Sequence, residues 1–292
     1  MRDDFAVFIL SHGRPDRIYT LAPLLNTGNY SGKWYIVIDN EDETADEYFR
    51  RYPDHVIQFD KLAVSKTFDT ADLSEDRRTI VYARNACFEI ARHIGVKYFL
   101  ELDDDYTYFA FRRVFNGGFR AIYCRNLNNV FSYMIDFLET SGALSVAFAQ
   151  AGDFIGGAKG AGTQKAVHRK CMNSFFCSVD RPFKFIGRIN EDVNTYTTLS
   201  SRGGLFFTIM NINLDQKETQ SNTGGMTDVY LDKGTYLKSF YTVIMMPSAV
   251  KISRMGNRHA RIHHHISWKN TAPLILSDRW RKTKGNDHAE TL

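Results

Sequence analysis

The stretch Tyr98-Phe-Leu-Glu-Leu-Asp-Asp-Asp105 decides the fold of this chain. Its first five residues form a mainly apolar run of strand length, and three consecutive carboxylates follow it directly. A run that is apolar on both faces is typical of a parallel strand covered by helices on both sides. The sequence therefore predicts a buried strand that brings acidic side chains to one edge of a sheet.

The residues that precede this stretch alternate between two kinds of pattern. Apolar runs of strand length occupy 5–10, 34–38 and 55–59. Between 80 and 94 the apolar residues instead recur with the period of a helix, and Gly95 follows as a C-terminal cap. This alternation predicts an α/β protein with a mostly parallel central sheet flanked by helices.

The later part of the chain has a mixed α+β pattern. The predicted strands are 144–149 and 205–212, and the predicted helices are 127–138, 191–201 and 227–245. The segments 61–78 and 155–164 are predicted as long loops. Long loops in compact domains often carry function, so both segments are of interest for a site.

The composition excludes several classes of protein. The chain has 292 residues, of which 43% are apolar and 24% charged, so it can bury a core and is not disordered. No apolar stretch approaches the roughly 20 residues that span a bilayer, and the N-terminus lacks the pattern of a signal peptide. Its four cysteines include no close pair, which argues against a zinc ribbon or a redox dithiol. We therefore expect a soluble, cytoplasmic protein with no membrane partner.

Polar clusters follow three of the predicted strands. Ligands of open α/β sheets bind beyond the carboxyl ends of the strands, so these clusters are expected to lie together along one edge. The clusters are Ser11-His12-Gly13-Arg14, Asp39-Asn40-Glu41-Asp42 and Asp103-Asp104-Asp105. Their shared location predicts a binding site at this edge.

The acidic triplet is a candidate metal site. Three adjacent carboxylates repel one another, and a cation or a hydrogen-bond network would offset that repulsion. On an extended chain Asp103 and Asp105 point to one side, and Asp104 points to the other. Because carboxylate oxygens suit Mn²⁺ or Mg²⁺, we predict Asp105 and Asp103, but not Asp104, as metal ligands. The alternative is an acidic turn or helix cap.

The triplet also belongs to a longer pattern. The segment 83–85, Ala-Arg-Asn, then Gly95, then 99–105, Phe-Leu-Glu-Leu-Asp-Asp-Asp, resembles the ARN … Gly … DxD signature of GT-A glycosyltransferases. The resemblance implies a GT-A-type fold in which the Arg helps to hold a nucleotide. In that family the second Asp of DxD binds the metal on the diphosphate, and the first contacts ribose or water. The implied nucleotide-sugar-binding residues are Ser11, His12, Arg14, Asp39, Arg84, Asp103 and Asp104.

A second element of the same resemblance lies further along the chain. Glu191-Asp192, followed by Arg202 and Gly203, resembles the ED … R … G segment of inverting GT-A enzymes. There the Asp is the general base, so the resemblance implies that Asp192 is catalytic and that Glu191 tunes its pKa. The alternative is simple acidity at a helix N-terminus, where Asp and Glu are favoured.

Four of the nine histidines lie between 258 and 265. Many GT-A enzymes supply a third metal ligand from a C-terminal histidine. Alternation along a strand places His263 and His265 on one face, so either residue is a candidate ligand. A zinc site made of histidines alone is the alternative.

Positive charge is concentrated between 251 and 284. Nine cations there are opposed by Asp278 alone, which favours a polyanionic partner such as nucleic acid or a nucleotide diphosphate. A solvated basic tail is the alternative. The cations are Lys251, Arg254, Arg258, Arg261, Lys269, Arg279, Arg281, Lys282 and Lys284.

Over most of its length the sequence resembles the TET-associated glycosyltransferases of bacteriophages. The resemblance includes 8–16, 61–84, the Glu-Leu-Asp-Asp-Asp-Tyr run at 101–106 and Ile-Asn-Glu-Asp at 189–192. It implies sugar transfer from a UDP-sugar, with Mn²⁺ or Mg²⁺, to the hydroxyl of a modified pyrimidine such as 5-hydroxymethylcytosine in phage DNA. Inversion and a location in the host cytoplasm are expected with it.

The expected organisation is one GT-A-like catalytic domain over 1–292. Its nucleotide-sugar-binding half is expected at about 1–110, its acceptor-binding half at about 111–270, and a basic tail at 271–292. Two alternatives remain open at this point. One is a GT-A enzyme that acts on a polysaccharide, lipid or protein, and the other is a metal-dependent nuclease or phosphoesterase.

Overall fold

β1 (Phe5–Leu10) shows how alternating side chains build two cores. All six of its residues are buried. Its odd-numbered residues pack into one hydrophobic cluster, and its even-numbered residues pack into another on the opposite face. A strand buried on both faces lies in the middle of a sheet that helices cover on both sides.

The computed structural model of the chain describes residues 2–160, 163–216, 234, 237–255 and 261–271. The other strands are β2 (Lys33–Asp39), β3 (Val56–Phe59), β4 (Tyr98–Asp103), β5 (Tyr106–Phe115), β6 (Gly118–Tyr123), β7 (Ser145–Ala149), β8 (Val167–His168), β9 (Phe175–Ser178), β10 (Phe206–Gln216), β11 (Val250–Met255) and β12 (Arg261–Ile266). The α-helices are α1 (Ala45–Arg51), α2 (Lys61–Ser65), α3 (Val81–His93), α4 (Leu127–Ser141), α5 (Glu191–Ser201), α6 (Leu237–Met245) and α7 (Trp268–Thr271). A π-helical turn covers Ala22–Thr27, and 3-10 turns cover Ala151–Phe154 and Gly157–Lys159.

The central sheet has ten strands in the order β3-β2-β1-β4-β9-β7-β10-β5-β6, with β8 beside β10. The four strands from β3 to β4 are parallel, as are β7 and β10. The remaining neighbours are antiparallel, which gives the later part of the chain its mixed character. β11 and β12 form a separate two-stranded sheet.

Helices cover both faces of the central sheet. α4 packs Leu127, Phe131 and Leu138 into the cluster on one face. α3 and α5 contribute Cys87 and Val193 to the cluster on the other face. None of the helices in the described part of the chain has the length and apolar character needed to cross a membrane.

The predicted α/β fold with its mixed second half is confirmed. The predicted strands and helices are present with ends that differ by a few residues, and α5 has the bounds expected for it. The prediction of a loop throughout 61–78 is wrong for its first turn, because the Asp60 side chain caps α2 by accepting a hydrogen bond from the Ala63 amide. Of the helix predicted at 227–245, Leu237–Met245 is present as α6, whereas the prediction is wrong at Gly234, which is not helical. Residues 227–233 and 235–236 lie outside the described residues.

Three parts of the central sheet were not predicted: the two-residue strand β8, the strand β9 and the β5–β6 hairpin. β9 was not predicted because its four residues form too short an apolar run. The β5–β6 hairpin was not predicted because its apolar residues do not alternate with polar ones. A turn signal for the hairpin is nevertheless present in the sequence. Asn116 and Gly117 have φ values of 50° and 76°, which identify the Asn-Gly pair as the centre of a tight hairpin turn.

Candidate active site

The carboxyl ends of β1, β2 and β4 bring the predicted polar clusters to one edge of the sheet. The Ser11 hydroxyl donates a hydrogen bond to Asp104 Oδ2 at 2.5 Å, and Arg14 Nη2 lies 3.2 Å from Asp104 Oδ1. Burial raises the pKa of Asp104 to about 6, although Arg14 and Ser11 oppose that shift. Asp104 therefore links the loop after β1 to the end of β4, and it is only 2% exposed.

Asp39 forms a second polar group at the same edge. Its Oδ2 lies 2.9 Å from His12 Nδ1 and 3.1 Å from Lys61 Nζ. Burial opposes ionisation of Asp39, but the contacts with His12 and Lys61 outweigh it and lower the pKa. Lys61 was not predicted as a site residue. Its position directly beyond the carboxyl end of β3 was the available signal.

Arg84 on α3 connects the acidic strand to α5. Its Nε donates to Glu191 Oε1 at 2.9 Å, and its Nη2 donates to Asp103 Oδ1 at 3.1 Å. Its Nη1 lies 3.5 Å from Glu101 Oε2, and the whole side chain is 2% exposed. The guanidinium thus contacts three carboxylates, and its implied contact with a nucleotide stays a prediction.

Glu101 is a buried member of this cluster that was not predicted. It is fully buried, and within the described residues neither of its carboxylate oxygens has a partner at hydrogen-bond geometry. Burial raises its pKa to about 8, which Arg84 only partly opposes. The sequence signal was a single charged residue inside the otherwise apolar run of β4.

Asp103 and Asp105 are the parts of the triplet that remain accessible. The Asp103 side chain is 23% exposed, and Asp105 is also only partly buried. Burial raises the pKa of Asp103 to about 6, and the charges of Asp105 and Glu191 add to the shift against the opposing effect of Arg84. The local excess of negative charge is what a divalent cation with oxygen ligands would relieve.

Glu191 and Asp192 occupy the first turn of α5, and both are less than 9% exposed. Asp192 Oδ1 accepts a hydrogen bond from the Val193 amide at 2.7 Å. Burial and the neighbouring Glu191 charge raise the pKa of Asp192 well above its usual range. A buried carboxyl with a raised pKa beside a second carboxylate is suited to general-base chemistry near neutral pH.

The predicted histidine ligands lie on β12, in the separate two-stranded sheet. His263 is paired with Ser253 and His265 with Lys251 across the β11–β12 ladder. Across the described ranges, no group of three or more His, Cys, Asp and Glu side chains is arranged to hold a metal ion. The role of His263 or His265 as a metal ligand stays a prediction.

A further polar group, which was not predicted, surrounds Asp153. Asp153 is buried and pairs with Lys170, and His168 Nδ1 lies 3.6 Å from its Oδ1. Burial opposes ionisation of Asp153, but these two partners outweigh it and lower the pKa. The charges of Asp192 and Asp153 both contribute to the raised pKa of Tyr196, so this group lies near the candidate base.

The acidic edge, with a buried arginine joining it to a candidate base, suits an enzyme that handles charged sugar donors. The model of a glycosyltransferase family matches residues 5–225, a range that contains all ten strands of the central sheet and both acidic clusters. The chain is a glycosyltransferase. It belongs to the TET-Associated Glycosyltransferase family.

Solved structures of similar shape include glucosyl-3-phosphoglycerate synthase from Mycobacterium tuberculosis. Its complex with Mg²⁺ and UDP has 10% identity and a TM-score of 0.45, over 91% of this chain and 91% of that one. Its complex with Mn²⁺ and UDP-glucose has 9% identity and a TM-score of 0.44, over 90% of this chain and 86% of that one. A comparison with curated proteins gave no significant match.

Proposed function

We propose that this glycosyltransferase moves a sugar from a UDP-sugar to the hydroxyl of a modified pyrimidine in phage DNA, such as 5-hydroxymethylcytosine. The observation that carries the proposal is the buried chain of contacts from Asp103 through Arg84 to Glu191. It couples the strand that would face the donor diphosphate to the helix that would face the acceptor. The family membership and the GT-A resemblance support the donor class and the acceptor class.

Asp103 and Asp105 would hold Mn²⁺ or Mg²⁺ in this proposal. Their oxygens suit either ion, and their surplus negative charge supports a bound cation. Mg²⁺ and Mn²⁺ sites of this kind use one or two carboxylates, with waters and substrate phosphates completing the shell. A site with two protein ligands is compatible with the described residues, among which no group of three or more His, Cys, Asp or Glu side chains could hold a metal ion. When bound, the ion would supply positive charge opposite the donor diphosphate.

Asp192 would act as the general base. It would take the proton of the acceptor hydroxyl while the hydroxyl oxygen forms a bond to the anomeric carbon of the sugar. The bond from that carbon to the diphosphate breaks in the same step, and the electron pair leaves with UDP. A single displacement of this kind inverts the anomeric configuration. Glu191, held by Arg84, would keep a negative charge beside Asp192 and so keep its pKa raised.

The loops after β1 and β2 would bind the nucleoside of the donor. Asp39 and Asp104 are each held in place by two neighbouring side chains, so their positions do not depend on a bound nucleotide. We expect Asp39 to accept hydrogen bonds from the base or ribose. Ser11, His12 and Arg14 would line the same pocket, since all three contact these carboxylates.

Exposed cations support a DNA acceptor. Lys251, Arg254 and Lys269 lie on β11 and α7 and are exposed. The remaining cations of the basic segment lie outside the residues whose side chains are described. A polyanionic acceptor would be attracted to these cations, and binding would weaken with rising salt.

Incubation with hydroxymethylated duplex DNA, Mn²⁺ and a panel of UDP-sugars tests the proposal. The modified nucleoside should gain the mass of one sugar, and Asp192→Asn should abolish the gain. Unmodified DNA is the matched control acceptor. If a polysaccharide, lipid or protein acceptor is modified and DNA is not, the acceptor class is wrong. Metal-dependent cleavage of the DNA without sugar transfer would instead favour a nuclease.

A further inference from the structure

The β5–β6 hairpin extends beyond the central sheet. β5 pairs with β10 only as far as Phe111, whereas its pairing with β6 continues to Phe115. β6 is the last strand of the sheet, so among the described residues the outer part of the hairpin is a two-stranded ribbon with no further strand beside it. All residues from 113 to 118 are exposed, including Val114 at 62% and Phe115 at 59%.

The ribbon carries an unfavourable arrangement of charge. Arg113 and Arg120 lie directly opposite each other in the register of β5 and β6, and both are exposed. Like charges in directly opposite positions destabilise an antiparallel pair. In the described ranges no carboxylate pairs with either arginine, and the sequence has no Asp or Glu between 106 and 135. An anion bound between these two side chains would relieve the repulsion.

Shape and charge together point to duplex DNA. The major groove of B-form DNA is about 12 Å wide and accommodates a two-stranded β-ribbon. The phosphates along its edges are suited to two guanidinium groups that project from one face of such a ribbon. We propose that the outer β5–β6 ribbon is a DNA-binding arm, in which Arg113 and Arg120 contact phosphates of the acceptor duplex. The inference rests on the proposed DNA acceptor.

The start of β5 lies at the candidate active site. β5 begins at Tyr106, directly after Asp105, and Arg113 lies seven residues further along the strand. At about 3.3 Å per residue the arginine pair is at most about 23 Å from the start of β5. At about 3.4 Å per base pair, this distance corresponds to about seven base pairs of duplex. The arm would therefore hold DNA within about seven base pairs of the reacting base.

The test compares two variants of the full chain that lose the same charge. Arg113→Ala/Arg120→Ala removes the arm's cations. Arg92→Ala/Lys97→Ala removes two cations near the amino end of β4, whose side chains are 39% and 41% exposed. Dissociation constants for a 30-base-pair hydroxymethylated duplex are measured from 50 to 200 mM salt. Loss of two phosphate contacts should reduce the magnitude of the slope of the log association constant against log salt concentration by about 1.8. The control variant should keep the wild-type slope.

The loss of DNA affinity in the arm variant, relative to the wild type, should therefore be about 12-fold larger at 50 mM than at 200 mM salt. Transfer to the free nucleoside 5-hydroxymethyl-2′-deoxycytidine should match the wild type, because that acceptor cannot reach the arm. An arm variant with the wild-type slope overturns the inference. So does an equal loss of transfer to the nucleoside and to the duplex, since that would indicate a damaged active site. If the wild-type protein transfers no sugar to any DNA, the proposed function is wrong. The salt dependence of DNA binding by the arm variant then tests the DNA-binding arm independently of sugar transfer.

Discussion

Arg84 on α3 donates a hydrogen bond to Glu191 at the start of α5 across 107 positions of sequence, with 2.9 Å between Nε and Oε1. The same guanidinium reaches Asp103 at the end of β4. One buried cation therefore sets the relative positions of the acidic strand and the helix that carries the candidate base. The following predictions test what each member of this arrangement does.

Replacing Arg84 should damage stability as well as activity. Arg84→Ala leaves the buried Glu101 and Glu191 and the partly buried Asp103 without their shared cation, and breaking such a buried pairing costs about 3–5 kcal/mol. Urea unfolding measures the loss. Arg92→Ala, an exposed position on the same helix, is the control and should change the free energy of unfolding by less than about 0.5 kcal/mol. Equal stability of the two variants would contradict the structural role of Arg84.

Replacing Asp192 should slow the chemical step and leave donor binding intact. Asp192→Asn keeps the size of the side chain but cannot take a proton, so kcat should fall by about 10²–10⁴-fold. The KM for the UDP-sugar should stay near its wild-type value, because the proposed donor pocket is at the ends of β1 and β2. A kcat within a few-fold of the wild type would exclude Asp192 as the base.

The pH dependence of kcat should reflect the raised pKa of Asp192. The base acts only when ionised, so activity should fall as the pH drops through that pKa, well above the range in which an ordinary Asp titrates. Glu191→Gln removes the neighbouring negative charge and should lower the pKa, which moves the acidic limb of the profile to lower pH. Profiles of kcat measured from pH 5 to 9 check the shift. If the acidic limb of the profile does not move, the charge of Glu191 does not set the pKa of Asp192.

Asp105 and Asp104 should have separable roles. Asp105→Ala should raise the Mn²⁺ concentration needed for half-maximal activity, since it removes a proposed ligand. Asp104→Asn should instead lower stability by about 1–3 kcal/mol, because it weakens buried contacts with Ser11 and Arg14. Mn²⁺ titrations of activity and thermal unfolding distinguish them. A chelator should abolish activity, and added Mn²⁺ should restore it.

The long segment after α2 should depend on the ion pair between Asp72 and the buried Arg188. Asp72 accepts hydrogen bonds from Arg188 Nε at 3.0 Å and Nη2 at 2.8 Å, and it also contacts the Tyr241 hydroxyl. Asp72→Ala should destabilise the fold by about 3–5 kcal/mol, since Arg188 is almost fully buried. Because Arg188 lies just before α5, kcat should fall too. Asp69→Ala, at an exposed position in the same segment, is the control and should have little effect on either quantity.

Local patterns in the sequence predicted much of the molecule. The apolar runs of β1, β2 and β4 and the helical periods of α3, α4 and α5 are visible because side-chain direction repeats every two or 3.6 residues. The acidic triplet followed from its place at the end of a buried strand. The β5–β6 hairpin was missed although its Asn-Gly turn was visible, because buried and exposed residues lie in separate blocks along β5.

By itself the sequence determined that parallel strands alternate with helices, and that carboxylates follow β4 and open α5. Only the tertiary structure decided which groups meet: Arg84 with Glu191, Ser11 with Asp104, and Lys61 with Asp39. The reason is physical. Periodicity is set by neighbours along the chain, whereas these partners lie 22 to 107 positions apart and meet only when the strands are ordered in the sheet. Burial, which raises the pKa of Asp192, likewise exists only in the packed chain.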